Sequence, residues 1–492
     1  MTILSKTAMS IATATALFVA HSVSNAAFAS NQRLTMEPCH VQGLAEQVEC
    51  GFYTVPENYD EPQGRTLDLH VVRLPAVSSG RTNDPVFFLA GGPGQAATEL
   101  TSVVAQLFRD VRQTRDIILV DQRGTGKSNP LECPLGDLGD MLVPDQDVDL
   151  TGISAGCAAE IQSQQDIDFQ QYNTVNAIRD FDRVRAALGY QQVNLYGGSY
   201  GTRAGLVWMR EKPESLRSVV LDGLAPTQVV IGPFGTFSQR AFDILNADCA
   251  AQEGCLEEFG DISETYYALR EQLLEQPQRL TIRDARSDEP HEVLLTATRL
   301  ASILRAALYS PRTRQLMPLA IREAAQGNWR PISGLAGSFE TNSPLYMGLM
   351  MSVLCQEDLP RADAELLARD ADNRFIGGSV AREFQRMCAG WPVEPLAGTA
   401  HAEPVHSTIP TLLLSGRQDP VTPPEWGDLA AETLPNSQHF VAEHGGHTIF
   451  SHTCANRMID RFLQNPTAEV DGKCLEQTRL LPFVRNVNAA GM

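Results

Sequence analysis

The segment Leu195-Tyr196-Gly197-Gly198-Ser199-Tyr200-Gly201 constrains this chain more than any other. An apolar run, Val193–Tyr196, leads into it, and an apolar stretch of helical character, Ala204–Met209, leads out. Between them the Gly-x-Ser-x-Gly pattern leaves room only for a tight, strained turn. Glycines two places before and two after the serine let neighbouring backbone pass, and the serine hydroxyl projects beyond the end of the strand. Such a strand-turn-helix unit suits a parallel sheet, where ligands collect at the carboxyl ends of the strands.

Other apolar runs ending in glycine or turn residues support that sheet: Leu67–Leu74, Val86–Ala90, Asp116–Val120, Ser218–Leu221, Thr411–Ser415 and His439–Ala442. Short continuous runs of this kind suit strands buried on both faces. Helical patterns alternate with them, most clearly Val175–Leu188, where Ile178, Phe181, Val184 and Leu188 recur at helical spacing and Gly189 stands as a C-terminal cap. The expected fold class is therefore α/β, with a mostly parallel, doubly wound sheet. The alternation stops after Pro226 and resumes at Thr411. Residues 227–410 carry helical patterns such as Ile262–Leu274 and Ala297–Leu308, and are expected to form an inserted helical cap between core segments 30–226 and 411–492.

Residues 1–29 have the pattern of a signal peptide: Lys6, an apolar run from Met9 to Val23, and Ala27-Phe28-Ala29 as the cleavage signal, so the mature chain is expected to start at Ser30. The run is short for a membrane span of ~20 residues, so no stable membrane anchor is expected. Export to the periplasm or the extracellular space makes the ten cysteines legible as disulfides, since their number is even and no Cys-x-x-Cys occurs. Pairing each cysteine with its neighbour in the chain is the hypothesis that gives five small local loops. Lys and Arg number 39 against 59 Asp and Glu, a net charge of -20. That balance repels phosphate backbones, which argues against nucleic acid and anionic lipid as partners.

A serine hydroxyl is a weak nucleophile near neutral pH, so it needs a base, and the base needs a third group to hold its tautomer. Where the serine sits in a Gly-x-Ser-x-Gly elbow, the chain order is Ser, then Asp or Glu, then His. Thr411–Ser415 runs into Gly416-Arg417-Gln418-Asp419-Pro420, and His439–Ala442 runs into Glu443-His444-Gly445-Gly446-His447. Ser199, Asp419 and His447 are the expected triad, with Asp222 as the rival acid and His444 as the rival base. The developing oxyanion needs two amide donors. These are expected from Tyr200, next to the nucleophile, and from Gly92 in Gly91-Gly92-Pro93-Gly94, with Gly91 as the alternative. Gly124-Thr125-Gly126-Lys127-Ser128 is not a phosphate loop, because Asp121 stands where the first glycine belongs. His439, His444, His447 and His452 lack the His-Glu-x-x-His pattern, and neither a metal nor a cofactor is expected.

Together, Gly91-Gly92-Pro93-Gly94, Asp121-Gln122-Arg123-Gly124-Thr125-Gly126-Lys127-Ser128, Gly197-Gly198-Ser199-Tyr200-Gly201, Gly416…Asp419-Pro420-Val421-Thr422-Pro423 and Gly446-His447 resemble the prolyl and tripeptidyl aminopeptidase family of α/β-hydrolase serine peptidases. Cys39…Cys50-Gly51 before Val55-Pro56-Glu57-Asn58-Tyr59 is similar to its secreted, tripeptidyl-type branch. Ala90 stands where the family usually has His, and Thr448 where it often has Gly; both bear on the shape of the substrate mouth. The resemblance implies an α/β-hydrolase fold and an exopeptidase whose peptide substrates are held by a free amino terminus through cap carboxylates. In this chain those would be Glu357 and Asp358 of Val353-Leu354-Cys355-Gln356-Glu357-Asp358. A carboxylesterase or lipase-like hydrolase on the same scaffold is the alternative, since triad and oxyanion hole serve ester and amide alike.

Overall fold

A computed structural model describes residues 33–133, 142–283, 289–339 and 345–486. The signal-peptide reading of residues 1–29 lies outside them. The chain opens with three strands, β1 (Glu37–Cys39), β2 (Val48–Pro56) and β3 (Thr66–Leu74), followed by β4 (Val86–Leu89), β5 (Ile117–Val120), β6 (Val193–Gly198) and β7 (Leu216–Asp222). A hairpin of β8 (Gln278–Arg283) and β9 (Pro290–Leu295) stands apart, and β10 (Thr411–Gly416) and β11 (Ser437–Ala442) complete the main sheet. That sheet has nine strands in the order β1-β2-β3-β5-β4-β6-β7-β10-β11. It is antiparallel from β1 to β5 and parallel from β5 to β11.

The apolar runs expected as strands all lie in this sheet. β1, β2 and the β8–β9 hairpin were not foreseen. β2 is only half covered, with Phe52 and its neighbours open on one side, so it never presents the continuous apolar run of a doubly buried strand. In the central strands successive side chains go to opposite faces and both faces are covered. Phe87, Leu89, Ile118, Val120, Leu195, Val219, Leu221 and Leu413 pack on one side with helices Thr174–Ala187 and Tyr200–Glu211. Val86, Phe88, Ile117, Leu119, Tyr196, Val220, Leu412 and Leu414 pack on the other with helices Thr101–Leu107 and Ala455–Gln464.

Among the described residues the elements between β7 and β10 are helices apart from the hairpin, and many of them close on an apolar cluster of their own around Phe242, Tyr266, Leu300, Leu304, Ile321 and Phe375. One piece does otherwise. Helix Met347–Val353 and the turn that follows it bury Leu349, Met350, Met351, Val353 and Leu354 in the cluster beneath the main sheet. The cysteines pair with their chain neighbours, as the local-loop hypothesis predicts: Cys39–Cys50, Cys133–Cys157, Cys249–Cys255, Cys355–Cys388 and Cys454–Cys474. No helix of the described residues is long and apolar enough to cross a membrane.

Candidate active site

Ser199 sits between β6 and helix Tyr200–Glu211 with φ 56° and ψ -124°, a strained conformation for a residue with a side chain. The two motif glycines explain how the turn closes: a Cβ at Gly197 would overlap the Gly201 carbonyl, and one at Gly201 would overlap the carbonyl of Leu89. The Ser199 N–H donates to the Asp222 carbonyl at 2.9 Å, which ties the turn to the end of β7.

Asp419 and His447 emerge from the ends of β10 and β11 and meet, Nδ1 to Oδ2, at 2.8 Å. Asp419 is fully buried, whereas the His447 side chain keeps a little exposure. Thr422 completes the pair: its hydroxyl donates to Asp419 Oδ2 at 2.6 Å and lies 3.0 Å from His447 Nδ1. The second Asp419 oxygen accepts the N–H groups of Val421 and Thr422 at 2.9 and 2.8 Å. Burial alone would raise the Asp419 carboxyl, but the His447 charge and the hydrogen bonds from His447 and Thr422 outweigh it and hold the group below the ordinary carboxylate range. An ionised partner fixed on Nδ1 leaves Nε2 as the nitrogen open to a proton.

His447 and Ser199 converge at the junction of β6 and β7. A Cβ at Gly198 would meet the Thr448 side chain, and one at Gly223, the residue after Asp222, would meet the His447 ring. Gly91, in the loop after β4, comes so near that a Cβ there would crowd the Ser199 side chain. Its N–H donates to Gln95 Oε1 at 3.2 Å, whereas among the described residues the N–H groups of Gly92 and Tyr200 have no acceptor. Two unspent amides beside one serine are the arrangement that an oxyanion requires.

Of the rivals, Asp222 turns its carboxylate away from His447 Nδ1 and onto the backbone that follows the histidine. His444 leaves Nδ1 buried without a partner. Two further groups, not anticipated from the sequence, hold the loop that bears His447. His447 N–H donates to the Tyr309 carbonyl at 2.8 Å, and the Tyr309 ring meets the imidazole edge-on at 5.0 Å. His452 Nε2 accepts the Gly446 N–H at 3.1 Å, and burial lowers His452 to about 4, which keeps that nitrogen an acceptor. The hydroxyl spacing Asp419-x-x-Thr422 was visible in the sequence; Tyr309, far along the chain, left no local signal there.

Glu357 and Asp358 are not where an incoming ammonium could meet them, which corrects the expectation. The chain from Leu354 to Asp358 widens into a π-helical turn with both acids buried. Glu357 accepts the Thr174 N–H and hydroxyl, each at 2.7 Å, and Thr174 passes the chain of hydrogen bonds to the Tyr200 hydroxyl. Asp358 is paired with Arg203 at 2.6 Å and also takes the Ile231 N–H. The physical reason is that the apolar residues before them bury in the catalytic core and carry the acids inward with them.

Comparison with known proteins agrees with this geometry. The family described as alpha/beta hydrolase fold matches residues 84–451. Serine protease Hip1 of Mycobacterium tuberculosis is 27% identical over 470 residues, covering 86% of this chain and 87% of the relative. Tripeptidyl aminopeptidase of Streptomyces lividans is 27% identical over 220 residues, 40% of each chain. Carboxylesterase B of Mycobacterium tuberculosis is 27% identical over 450 residues, 82% of each. With a Gly-x-Ser-x-Gly turn, a buried Asp-His pair and the sheet order that brings them together, the chain belongs to the alpha/beta hydrolase fold family.

Proposed function

We propose that this protein is an exported serine exopeptidase that removes short peptides or single residues from free amino termini through an acyl-enzyme. The observation that carries the hydrolase part is the Asp419–His447 pair, tied through Asp222 to the Ser199 turn, together with the unspent amides of Tyr200 and Gly92. His447 Nε2 takes the Ser199 proton as Oγ attacks the substrate carbonyl, and Asp419 holds the resulting imidazolium. The Tyr200 and Gly92 amides bind the oxyanion. Collapse breaks the C–N bond, and His447 returns its proton to the leaving amine. Water, deprotonated by the same base, then releases the acyl group and restores Ser199.

Support for peptide substrates comes from the relatives named serine protease and tripeptidyl aminopeptidase. The relative named carboxylesterase favours the second reading, an esterase on the same scaffold. Export is supported by five disulfides, since such bonds persist in oxidising compartments.

The test is a panel of p-nitroanilides of one to three residues, with free and blocked amino ends, beside p-nitrophenyl esters, for the wild type and Ser199→Ala. Cleavage of free-amine anilides, lost in Ser199→Ala, is the expected result. Turnover of esters alone establishes the second reading, and equal rates on free and blocked anilides end the claim of amine recognition.

A further inference from the structure

We infer that Asp222 is a positioning residue that sets the distance between the nucleophile and the base. The inference rests on the reading of Ser199 and His447 as catalytic. Asp222 ends β7 between the two and grips both, one through its main chain and the other through its side chain. Its carbonyl accepts the Ser199 N–H at 2.9 Å. Its carboxylate accepts the N–H of Ile449 on Oδ1 at 2.8 Å and that of Phe450 on Oδ2 at 2.9 Å, the second and third backbone amides beyond His447. The Tyr196 hydroxyl, from the strand that delivers Ser199, donates to Oδ2 at 3.1 Å.

Two costs show that this arrangement is not incidental. Asp222 is fully buried and, among the described residues, pairs with no cation. A buried carboxylate satisfied only by neutral donors is expensive compared with an apolar residue of similar size. The second cost lies in the loop it holds. Thr448, directly after His447, has φ 55°, a left-handed conformation that a β-branched residue adopts only when its surroundings impose it. On the chain side before Thr448 the loop is fixed by His447 N–H on the Tyr309 carbonyl and by Gly446 N–H on His452. On the side after it Asp222 holds the Ile449 and Phe450 amides, while Ile449 is buried in the core and the Phe450 ring packs on Phe108 and Tyr196. Without the Asp222 contacts the backbone beside the strained residue can relax, and the imidazole moves with it.

The experiment measures kcat and KM per folded molecule for wild type, Asp222→Asn, Asp222→Ala, Ser199→Ala and Asp180→Asn, with p-nitrophenyl acetate and the best anilide of the panel. Folding is counted by circular dichroism and thermal melting. Asparagine keeps the shape and one acceptor but turns an NH2 toward an amide donor, and alanine removes every side-chain contact. Displacement of a reacting group by ~1 Å costs about 100-fold. The expected result is a kcat about tenfold lower in Asp222→Asn and about 100-fold lower in Asp222→Ala, with KM within about twofold of wild type. Asp180, a buried carboxylate paired with Arg123 and, among the described residues, without a hydrogen bond to Ser199, Asp419 or His447, is the control for a merely structural role. Its variant should lose thermal stability and keep its kcat per folded molecule. If Asp222→Asn keeps wild-type kcat, or loses activity through KM alone, the proposal is overturned, and this variant decides the matter if the alanine form does not fold. Residual turnover in Ser199→Ala would instead overturn the triad reading itself.

Discussion

Thr422 holds Asp419 with both its hydroxyl and its amide, and the hydroxyl also lies within reach of His447 Nδ1. A hydroxyl has one proton to donate, so with Nδ1–H pointed at Asp419 the Thr422 proton serves the carboxylate as well. Hydrogen bonds to a charged group are worth roughly 1.5–3 kcal/mol. Thr422→Val keeps the side-chain shape and the backbone contact while removing that proton. Its kcat on a p-nitrophenyl ester should fall on the order of tenfold at constant pH with little change in melting temperature; a wild-type kcat would show that Asp419 needs no second donor. The Ser199 turn and the Asp419–His447 pair were legible because each residue follows a strand and carries its own turn signal. Tyr309 and His452 act through contacts that no spacing rule announces, whereas Thr422 stands three residues after Asp419. Glu357 and Asp358 were misjudged because adjacent acids at the end of an apolar run look alike whether they face a cleft or a buried arginine.

At the scale of elements, that apolar run is what moved the acids. Glu357 receives the Thr174 N–H in the first turn of helix Thr174–Ala187, whose N-cap is Asn173. A carboxylate there complements the helix dipole. Burial nevertheless pushes Glu357 up to about 7, a rise moderated by the Thr174 hydrogen bonds and increased by the neighbouring Asp358 charge. The folded state therefore holds this proton more tightly than the unfolded chain. The associated stability is fully present below the ordinary Glu value of 4.5 and is lost as pH rises through about 7. Glu357→Gln pays no such ionisation cost and can still bond Thr174. Its melting temperature relative to wild type should therefore rise between pH 5 and pH 8, by the equivalent of ~2–3 kcal/mol at most. A difference that stays constant with pH would contradict it. The segment from Asp121 to Ser128, rejected as a phosphate loop, turns out to be an internal strut. Asp121 gathers the Thr98 amide and hydroxyl and the Lys127 amide, while Arg123 makes a bidentate pair with Asp180.

For the whole molecule, the charge of -20 is partly internal. Asp121, Asp180, Asp222, Asp358 and Asp419 are all fully buried and tied into fixed networks, so none of them is open to direct contact by a partner. The five disulfides close loops with sequence separations of 11, 24, 6, 33 and 20 residues. Each restrains the unfolded chain, by about 3 kcal/mol for a 15-residue loop. Non-reducing peptide mapping should recover the five neighbour pairs, and reduction should lower the melting temperature; a crossed pair or a free thiol in the oxidised protein would contradict the structure. Cys355–Cys388 has a particular place among them, because it ties the turn bearing Glu357 and Asp358 to helix Ser379–Cys388.

By itself the sequence determined the class of fold, the parallel part of the sheet, the Ser199 elbow and the strand ends that carry Asp419 and His447, because these depend on short-range signals: apolar runs, glycines that a turn requires, and a polar residue at the end of a strand. The tertiary structure decided which polar side chains are free. Whether a carboxylate meets an arginine from another helix, a backbone amide from another strand or an open cleft is set by packing between elements far apart in the chain. On that basis Glu357, Asp358 and Asp222 exchanged roles: two expected substrate contacts became internal supports, and a discarded rival acid became the residue that joins the nucleophile to its base.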